Sequence, residues 1–324
     1  MKLLVIGCGS IGRRHALNAS VMAETGVMDE DGSRSADVAA ETGVRDFGAD
    51  LGAALEWGPD GVVVAVPHAW HTEIASRALE HGAEVLVEKP LAAEPRQARD
   101  LLEQAEAVGR RVYGVCNMRF HPAIQTLKES LPLIGRPLFS RAHFGNYLPN
   151  MRSGVDYRTL YAADADQGGV ILDGIHELDY LSWFFGPIRS VVADTARLSD
   201  LEIAAEDYAG LVLRHDRGCR SEVHLDYLRR AKRRGCEIVG TEGILHWSSE
   251  GKTPERCRVS LYSPDTGWKA LFVHDDLDAM EPLRRMMLDF THALKGAQTE
   301  LQTGREALTV LEFAYQARGG LHHE

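Results

Sequence analysis

Unbroken apolar runs separated by stripes of helical period organise the first third of the chain. Lys2-Leu3-Leu4-Val5-Ile6, Gly61-Val62-Val63-Val64-Ala65-Val66 and Val85-Leu86-Val87 do not alternate, which is the pattern of parallel strands buried on both faces. Val27-Met28-Asp29 and Arg111 to Val115 read as two further strands. Between them the period changes. His71 to His81 predicts a helix ended by Gly82, and Glu94 to Val108 carries Ala98, Leu101, Leu102, Ala105 and Val108 at helical spacing before Gly109. The alternation of strand and helix predicts a doubly wound Rossmann-type parallel sheet over residues 1–118.

Beyond Pro122 polar and apolar positions alternate, as in Tyr208 to His215, Arg220 to Leu228 and Arg258 to Tyr262, with turns at Asp216-Arg217-Gly218 and Thr241-Glu242-Gly243. This predicts a second, α+β domain over residues 119–324, built on a largely antiparallel sheet with one open face, either solvated or joined to a second subunit. Helices near Leu283 to Leu294 and Arg305 to Arg318 close the chain, and another is expected to start near Asp173.

Composition narrows the function classes. At 44% hydrophobic and 26% charged, 324 residues suit a globular protein of two cores, and no apolar run approaches the roughly 18 residues a bilayer span needs. A cytoplasmic protein without membrane partners is expected. The formal net charge of -11 argues against nucleic acid as a partner, although Arg229-Arg230-Ala231-Lys232-Arg233-Arg234 opposes the average. That run reads as a solvated hairpin or a site for an anionic substrate group. Cys8, Cys116, Cys219, Cys236 and Cys257 are odd in number and widely spaced, which predicts reduced thiols and no zinc or other metal.

The candidate chemistry lies at strand ends. The first strand runs into Gly7-Cys8-Gly9-Ser10-Ile11-Gly12 and then a helical pattern, the context in which glycines admit a dinucleotide pyrophosphate to a helix N-terminus. Asp29, at the end of the next strand, is placed to accept from the adenosine ribose hydroxyls and to repel a 2′-phosphate. NAD is therefore expected over NADP, with Arg34 softening the preference. Pro67, His71 and Glu88, near the following strand ends, are further candidates to line the cofactor. A buried strand seldom ends in lysine, and Pro90 restricts the backbone of Lys89, so the ammonium should leave the third apolar run in a defined direction.

In the second half, Gly168-Gly169 leads to Asp173, His176 and Asp179, which a continuous helix would place on one side at spacings of three. A histidine near a helix N-terminus is kept neutral by the dipole. Lys89 could stabilise a developing alkoxide while His176 takes the hydroxyl proton and Asp173 orients it, which suits hydride transfer at a secondary alcohol. None of the nine tyrosines is followed by lysine four residues on, so the tyrosine/lysine arrangement of short-chain dehydrogenases is absent. Arg119, Tyr157, Arg158, His224 and Tyr227 are candidate substrate contacts.

The glycine turn, Glu88-Lys89-Pro90 and the stretch from Gly168 to His176 together resemble the Gfo/Idh/MocA family of sugar oxidoreductases over nearly the whole chain. Asn117-Met118-Arg119-Phe120-His121-Pro122, the run Asp173 to Leu181 and His224-Leu225-Asp226-Tyr227 resemble a branch acting on sugars for glycan or glycosylated-metabolite biosynthesis. The resemblance implies an NAD-dependent sugar dehydrogenase or ketoreductase, a sugar, amino-sugar or cyclitol substrate, a homodimer or homotetramer, and catalytic roles for Lys89 and His176. In the family an aspartate commonly precedes the histidine by four. Here that position is Leu172, and Asp173 stands three before. Two other readings share the fold: a non-catalytic dinucleotide-binding sensor, and a glycoside hydrolase or epimerase working through a transient keto-sugar.

Overall fold

The computed structural model describes residues 1–152, 154–251 and 255–319. Two compact units emerge: the first is Met1–Phe120 with Met280–Leu311, and the second is His121–Ala279 with the stretch from Glu312 onward.

In the first unit β1 (Lys2–Ile6), α1 (Ser10–Ser20), β2 (Glu24–Met28), α2 (Gly32–Thr42), β3 (Arg45–Asp46), α3 (Leu51–Glu56), β4 (Gly61–Val64), α4 (His71–Glu80), β5 (Glu84–Val87), α5 (Pro95–Ala107) and β6 (Val112–Gly114) follow one another. Leu3 to Val5, Val62 to Val64 and Val85 to Val87 have no exposed surface, as non-alternating runs require. The expected parallel sheet is present in the order β3-β2-β1-β4-β5-β6, with the strand sequence reversing between β1 and β4. The expected helices at His71 and Glu94 form within a residue or two of their predicted ends.

The second unit contains α6 (Pro122–Ser130), β7 (Pro137–Gly145), α7 (Val170–Asp173), α8 (Ile175–Phe185) and then seven strands. These are β8 (Ile188–Ala196), β9 (Tyr208–His215), β10 (Arg220–Asp226), β11 (Arg233–Gly240), β12 (Ile244–Glu250), β13 (Glu255–Ser263) and β14 (Gly267–Leu277). They form one sheet in the order β14-β13-β12-β11-β7-β10-β9-β8, antiparallel except where β10 pairs with β7. Ala209, Leu211 and Leu213 point inward while Val212 and Arg214 point out, the alternation of a sheet covered on one face.

After β14 the chain rejoins the first unit through α9 (Glu281–Leu294), β15 (Gln302–Thr303) and the first part of α10 (Gly304–Arg318). This departs from a boundary at residue 118 with everything beyond it in the second body. The reason is packing. Leu283, Met286, Met287 and Phe290 on α9 complete the core around Leu3, Val5, Tyr113 and Phe120, and β15 adds an antiparallel edge to β6.

Candidate active site

In the first unit Ile6 pairs with Val64 and Val64 with Val87, so β1, β4 and β5 end level. Gly7, Ala65 and Glu88-Lys89 therefore emerge along one edge, with β5 about 10 Å from β1 at ordinary strand spacing. This is where an open parallel sheet with a reversal of strand order takes its ligand.

The glycine turn is built for close approach. Gly7 has φ +96°, and a Cβ there would stand 2.5 Å from the Ala65 oxygen. A Cβ on Gly12 would stand 1.7 Å from the Gly7 oxygen, whereas nothing lies within 4 Å of a Cβ at Gly9. α1 opens at Ser10 with no capping side chain, so the first-turn N–H groups of Ser10, Ile11 and Gly12 and the positive end of the helix face an open cradle. Asp29 is buried against it: one oxygen accepts the Cys8 N–H at 2.6 Å and the other the Asp31 N–H at 2.9 Å. Lone pairs remain on that carboxylate for a ribose diol, and a 2′-phosphate would meet its charge. Arg34 is exposed and stands 3.4 Å from Asp31. Cradle, helix end and carboxylate fit a dinucleotide.

Lys89 is half-buried, and the Lys89-Pro90 peptide is cis. Both neighbours of Lys89 are tied to histidines. The Glu88 carboxyl meets His15 Nε2 at 2.8 Å and accepts the Lys89 N–H at 3.2 Å. His71 lies with Nδ1 2.8 Å from the Pro90 oxygen and Nε2 3.0 Å from the Val66 oxygen. Burial pushes its pKa down, against the two carbonyl contacts, which favour the protonated ring. His71 and Glu88 were expected to line the cofactor. His71 is 1% exposed and bridges two backbone segments, and the Glu88 side chain turns toward His15. Pro67 is exposed just past β4.

In the second unit the expected single helix is broken. Asp173 closes α7, Gly174 intervenes with φ -85° and ψ 18°, and His176 is the second residue of α8. Leu225 lies where a side chain at 174 would go, which fixes a glycine there. His176 keeps the expected place in a helix's first turn, but Asp173 and Asp179 do not share a helix, and Asp179 is completely buried. Tyr161, which the sequence pattern did not single out, donates its hydroxyl to Asp173 at 2.7 Å.

The candidate substrate contacts fare unevenly. Arg119 is 2% exposed, its Nη1 set 3.4 Å from both the Glu300 oxygen and the Glu306 carboxylate, so it is a structural tie within the first unit. Tyr227 is fully buried and donates to the Gly169 oxygen at 3.0 Å. Arg158 is exposed with its charge matched by Asp156 and Glu202, each at 2.8 Å, and the Tyr157 hydroxyl accepts the Glu202 N–H. His224 pairs with Asp226 at 2.8 Å on the opposite face of β10 from Leu225. The basic run also dissolves into partners: Arg229 to Asp226, Arg230 over the Tyr147 ring, Arg233 to Glu250, and Arg234 to the buried Glu177.

One cluster was invisible in the spacing of the cysteines. His121, Glu255 and Cys257 bring three ligand-type atoms within 4.8 Å of one another. Their lone pairs already have other uses. His121 Nδ1 caps α6 by accepting the Ala123 N–H, which leaves the protonated Nε2 3.4 Å from Glu255, and Trp247 Nε1 donates to the Cys257 sulfur at 3.1 Å. Burial pushes the Cys257 thiol up to about 12. Burial also raises the Glu255 carboxyl, but His121, Ser249 and Lys232 outweigh it and hold that group at about 2. A metal-bound histidine ordinarily donates from its second nitrogen, and here that nitrogen accepts. The cluster is a hydrogen-bonded brace.

Comparison with known proteins matches this geometry. The family description "oxidoreductase family, NAD-binding Rossmann fold" fits residues 1–115, and the Gfo/Idh/MocA C-terminal domain fits residues 125–246. The chain is thus an NAD-binding oxidoreductase with a Rossmann unit and an antiparallel α+β unit. It belongs to the Gfo/Idh/MocA family. A D-apiose dehydrogenase of Paraburkholderia graminis is 28% identical over 76% of this chain and 67% of its own length. Inositol 2-dehydrogenase 3 of Saccharopolyspora erythraea is 28% identical over 85% of this chain and 81% of its own. Among solved structures, an oxidoreductase from Agrobacterium radiobacter in complex with NAD+, L-tartaric acid and magnesium has the same fold, with a TM-score of 0.85 at 24% identity over 98% of this chain and 96% of its own.

Proposed function

We propose that this enzyme transfers a hydride between NAD and a secondary alcohol or ketone of a sugar, amino sugar or cyclitol, with Lys89 and His176 as the acid/base groups. The observation that carries the reading is Lys89 itself: a lysine at the carboxyl end of β5, on the same level edge as the glycine turn, with the residues on either side of it tied down. The named activities of the apiose and inositol dehydrogenases support the substrate class.

NAD, when bound, supplies the hydride acceptor or donor. Ser10, Ile11 and Gly12 would hold its pyrophosphate and Asp29 its adenosine ribose. Lys89, as a cation, would hydrogen-bond the reacting oxygen and stabilise charge that develops there. His176 would take the hydroxyl proton in oxidation and return it in reduction, and Asp173, fixed by Tyr161, would steady that histidine. The soluble, cytoplasmic setting belongs to the same proposal and is supported by the absence, among the described residues, of any helix long and apolar enough to cross a membrane. So does assembly into a homodimer or homotetramer through the open sheet face.

The test is a screen at 340 nm with NAD and with NADP over free, amino and nucleotide-linked sugars and cyclitols, repeated for Lys89→Ala and His176→Ala. Each substitution is expected to lower kcat by about 100-fold or more while NADH affinity changes little, the scale ordinarily seen for a positioned acid or base. Full turnover in either variant overturns the assignment of that residue.

A further inference from the structure

Gly168-Gly169 stood out in the sequence, yet the chemistry assigned so far gives the pair no role. Gly169 opens α7, the four-residue helix that ends in Asp173, and offers it no capping side chain. A helix this short satisfies few of its own N–H groups and does not hold its place unaided. The space that a side chain at Gly169 would fill is taken by a carboxyl from elsewhere in the second unit: a Cβ there would lie 2.1 Å from Glu206 Oε1. Glu206 accepts the first two N–H groups of α7, that of Val170 on its backbone oxygen at 3.2 Å and that of Ile171 on Oε1 at 3.2 Å. Glu206 itself has a firm base. The next residue, Asp207, is buried, and it accepts the Leu198 and Ser199 N–H groups on its carboxylate and the Tyr227 N–H on its backbone oxygen. On the other side Arg318, at the end of α10, stands with Nε 3.8 Å from Glu206 Oε2 and donates from Nη1 and Nη2 to the Asp166 and Ala165 oxygens. One guanidinium thus joins the carboxyl to the chain that leads into the two glycines.

We propose that Glu206 is a positioning residue for Asp173: it caps α7 from outside the helix, with Arg318 as its anchor, and so fixes the turn that carries Asp173. This rests on the role given to Asp173 above. The physical basis is local. A cap is ordinarily supplied by the residue that starts the helix, and it satisfies N–H groups that have no partner within the helix. Here the starting residue is a glycine because the carboxyl of another segment needs its space. Asp173 lies within one turn of the N–H groups that Glu206 holds, so a helix freed at that end loses the backbone from which the Asp173 side chain projects. α8 and His176 follow directly after Gly174, which makes this corner the place where a small displacement costs most in turnover.

The experiment compares Glu206→Met, which keeps the length and removes the acceptor, with Glu206→Gln, whose amide oxygen can still accept the Ile171 N–H. Two readouts are taken on the full chain: steady-state kinetics, and amide hydrogen exchange of peptides spanning residues 164–174, followed by mass spectrometry. In Glu206→Met the exchange of that stretch is expected to quicken several-fold, with kcat lowered by about tenfold and the KM for NAD within about threefold. In Glu206→Gln both are expected to recover to within about threefold of the parent. Unchanged exchange in a folded Glu206→Met overturns the proposal, as does faster exchange with unchanged kcat, which would make the cap structural alone, or failure of glutamine to rescue. Should Glu206→Met not fold, Arg318→Gln tests the same link by removing the anchor, with faster exchange and a lowered kcat expected; no change in either counts against it. Asp173→Asn separates the two levels. If that variant turns over normally the role of Asp173 falls, whereas the exchange result still decides whether Glu206 holds α7.

Discussion

Asp173 reaches its place by a route that spacing does not describe. Gly174 breaks the helix after it, and the Tyr161 hydroxyl holds it at 2.7 Å. Removing that hydroxyl leaves a partly buried carboxyl short of a donor, so Tyr161→Phe is expected to lower kcat by about tenfold and to leave NADH affinity unchanged, as read by steady-state kinetics beside a fluorescence titration. An equal loss in both measurements would show a general collapse of the unit. Gly12 is a sterner case. A methyl group there would sit inside the Gly7 carbonyl, so Gly12→Ala is expected to abolish NADH binding, checked by the same titration. The glycine turn and Lys89 were legible in the sequence because a tight turn and a charged end to a buried strand leave marks in a single stretch. Tyr161 was not, because it lies in no periodic pattern that names Asp173 as its partner.

At the level of elements, the parallel strands could be read because burial on both faces makes them uniformly apolar. The strands β7, β8, β11, β12 and β14 were harder, since half of each is polar and their outward residues are matched across the sheet. His143 shows the effect. It stands on β7 opposite Gly235 of β11, a glycine whose Cβ would lie 2.8 Å from the imidazole. Burial, then Arg229, His224, Arg233 and His246, push His143 down to about 4. Its folded pKa lies below the ordinary value near 6.5, so below that pH the unfolded chain binds the extra proton, and stability must fall as pH drops from about 6.5 toward 4. For this half-exposed side chain the loss is expected to be on the order of 1 kcal/mol. His143→Gln should flatten that limb of a plot of Tm against pH. An unaltered slope would place the titration elsewhere.

Across the whole molecule, the outward face of the eight-stranded sheet carries Val192 opposite Val212, and further along it Phe139 and Trp268, all at least 37% exposed. Arg141 and Glu222 are paired between them at 2.8 Å. Apolar side chains interspersed with matched charges suit a self-complementary contact. A double change, Phe139→Glu with Val212→Glu, is expected to shift light-scattering mass to that of a single chain without changing the melting of the fold by more than a few degrees. A parent that is already monomeric would remove the assembly proposal. The division into two bodies was legible from the change of period near residue 120, but the return of the chain was not, because α9 is an ordinary amphipathic helix and its stripe does not say which core it fills.

That return bears on how the protein is made. The parallel strands of the first unit leave the ribosome ahead of the antiparallel sheet, but Met286, Met287 and Phe290 emerge only after that sheet has been synthesised. Until then Tyr113 and Phe120 lack the side chains that cover them, so the nascent nucleotide fold waits, incomplete, on a helix translated long after its own strands.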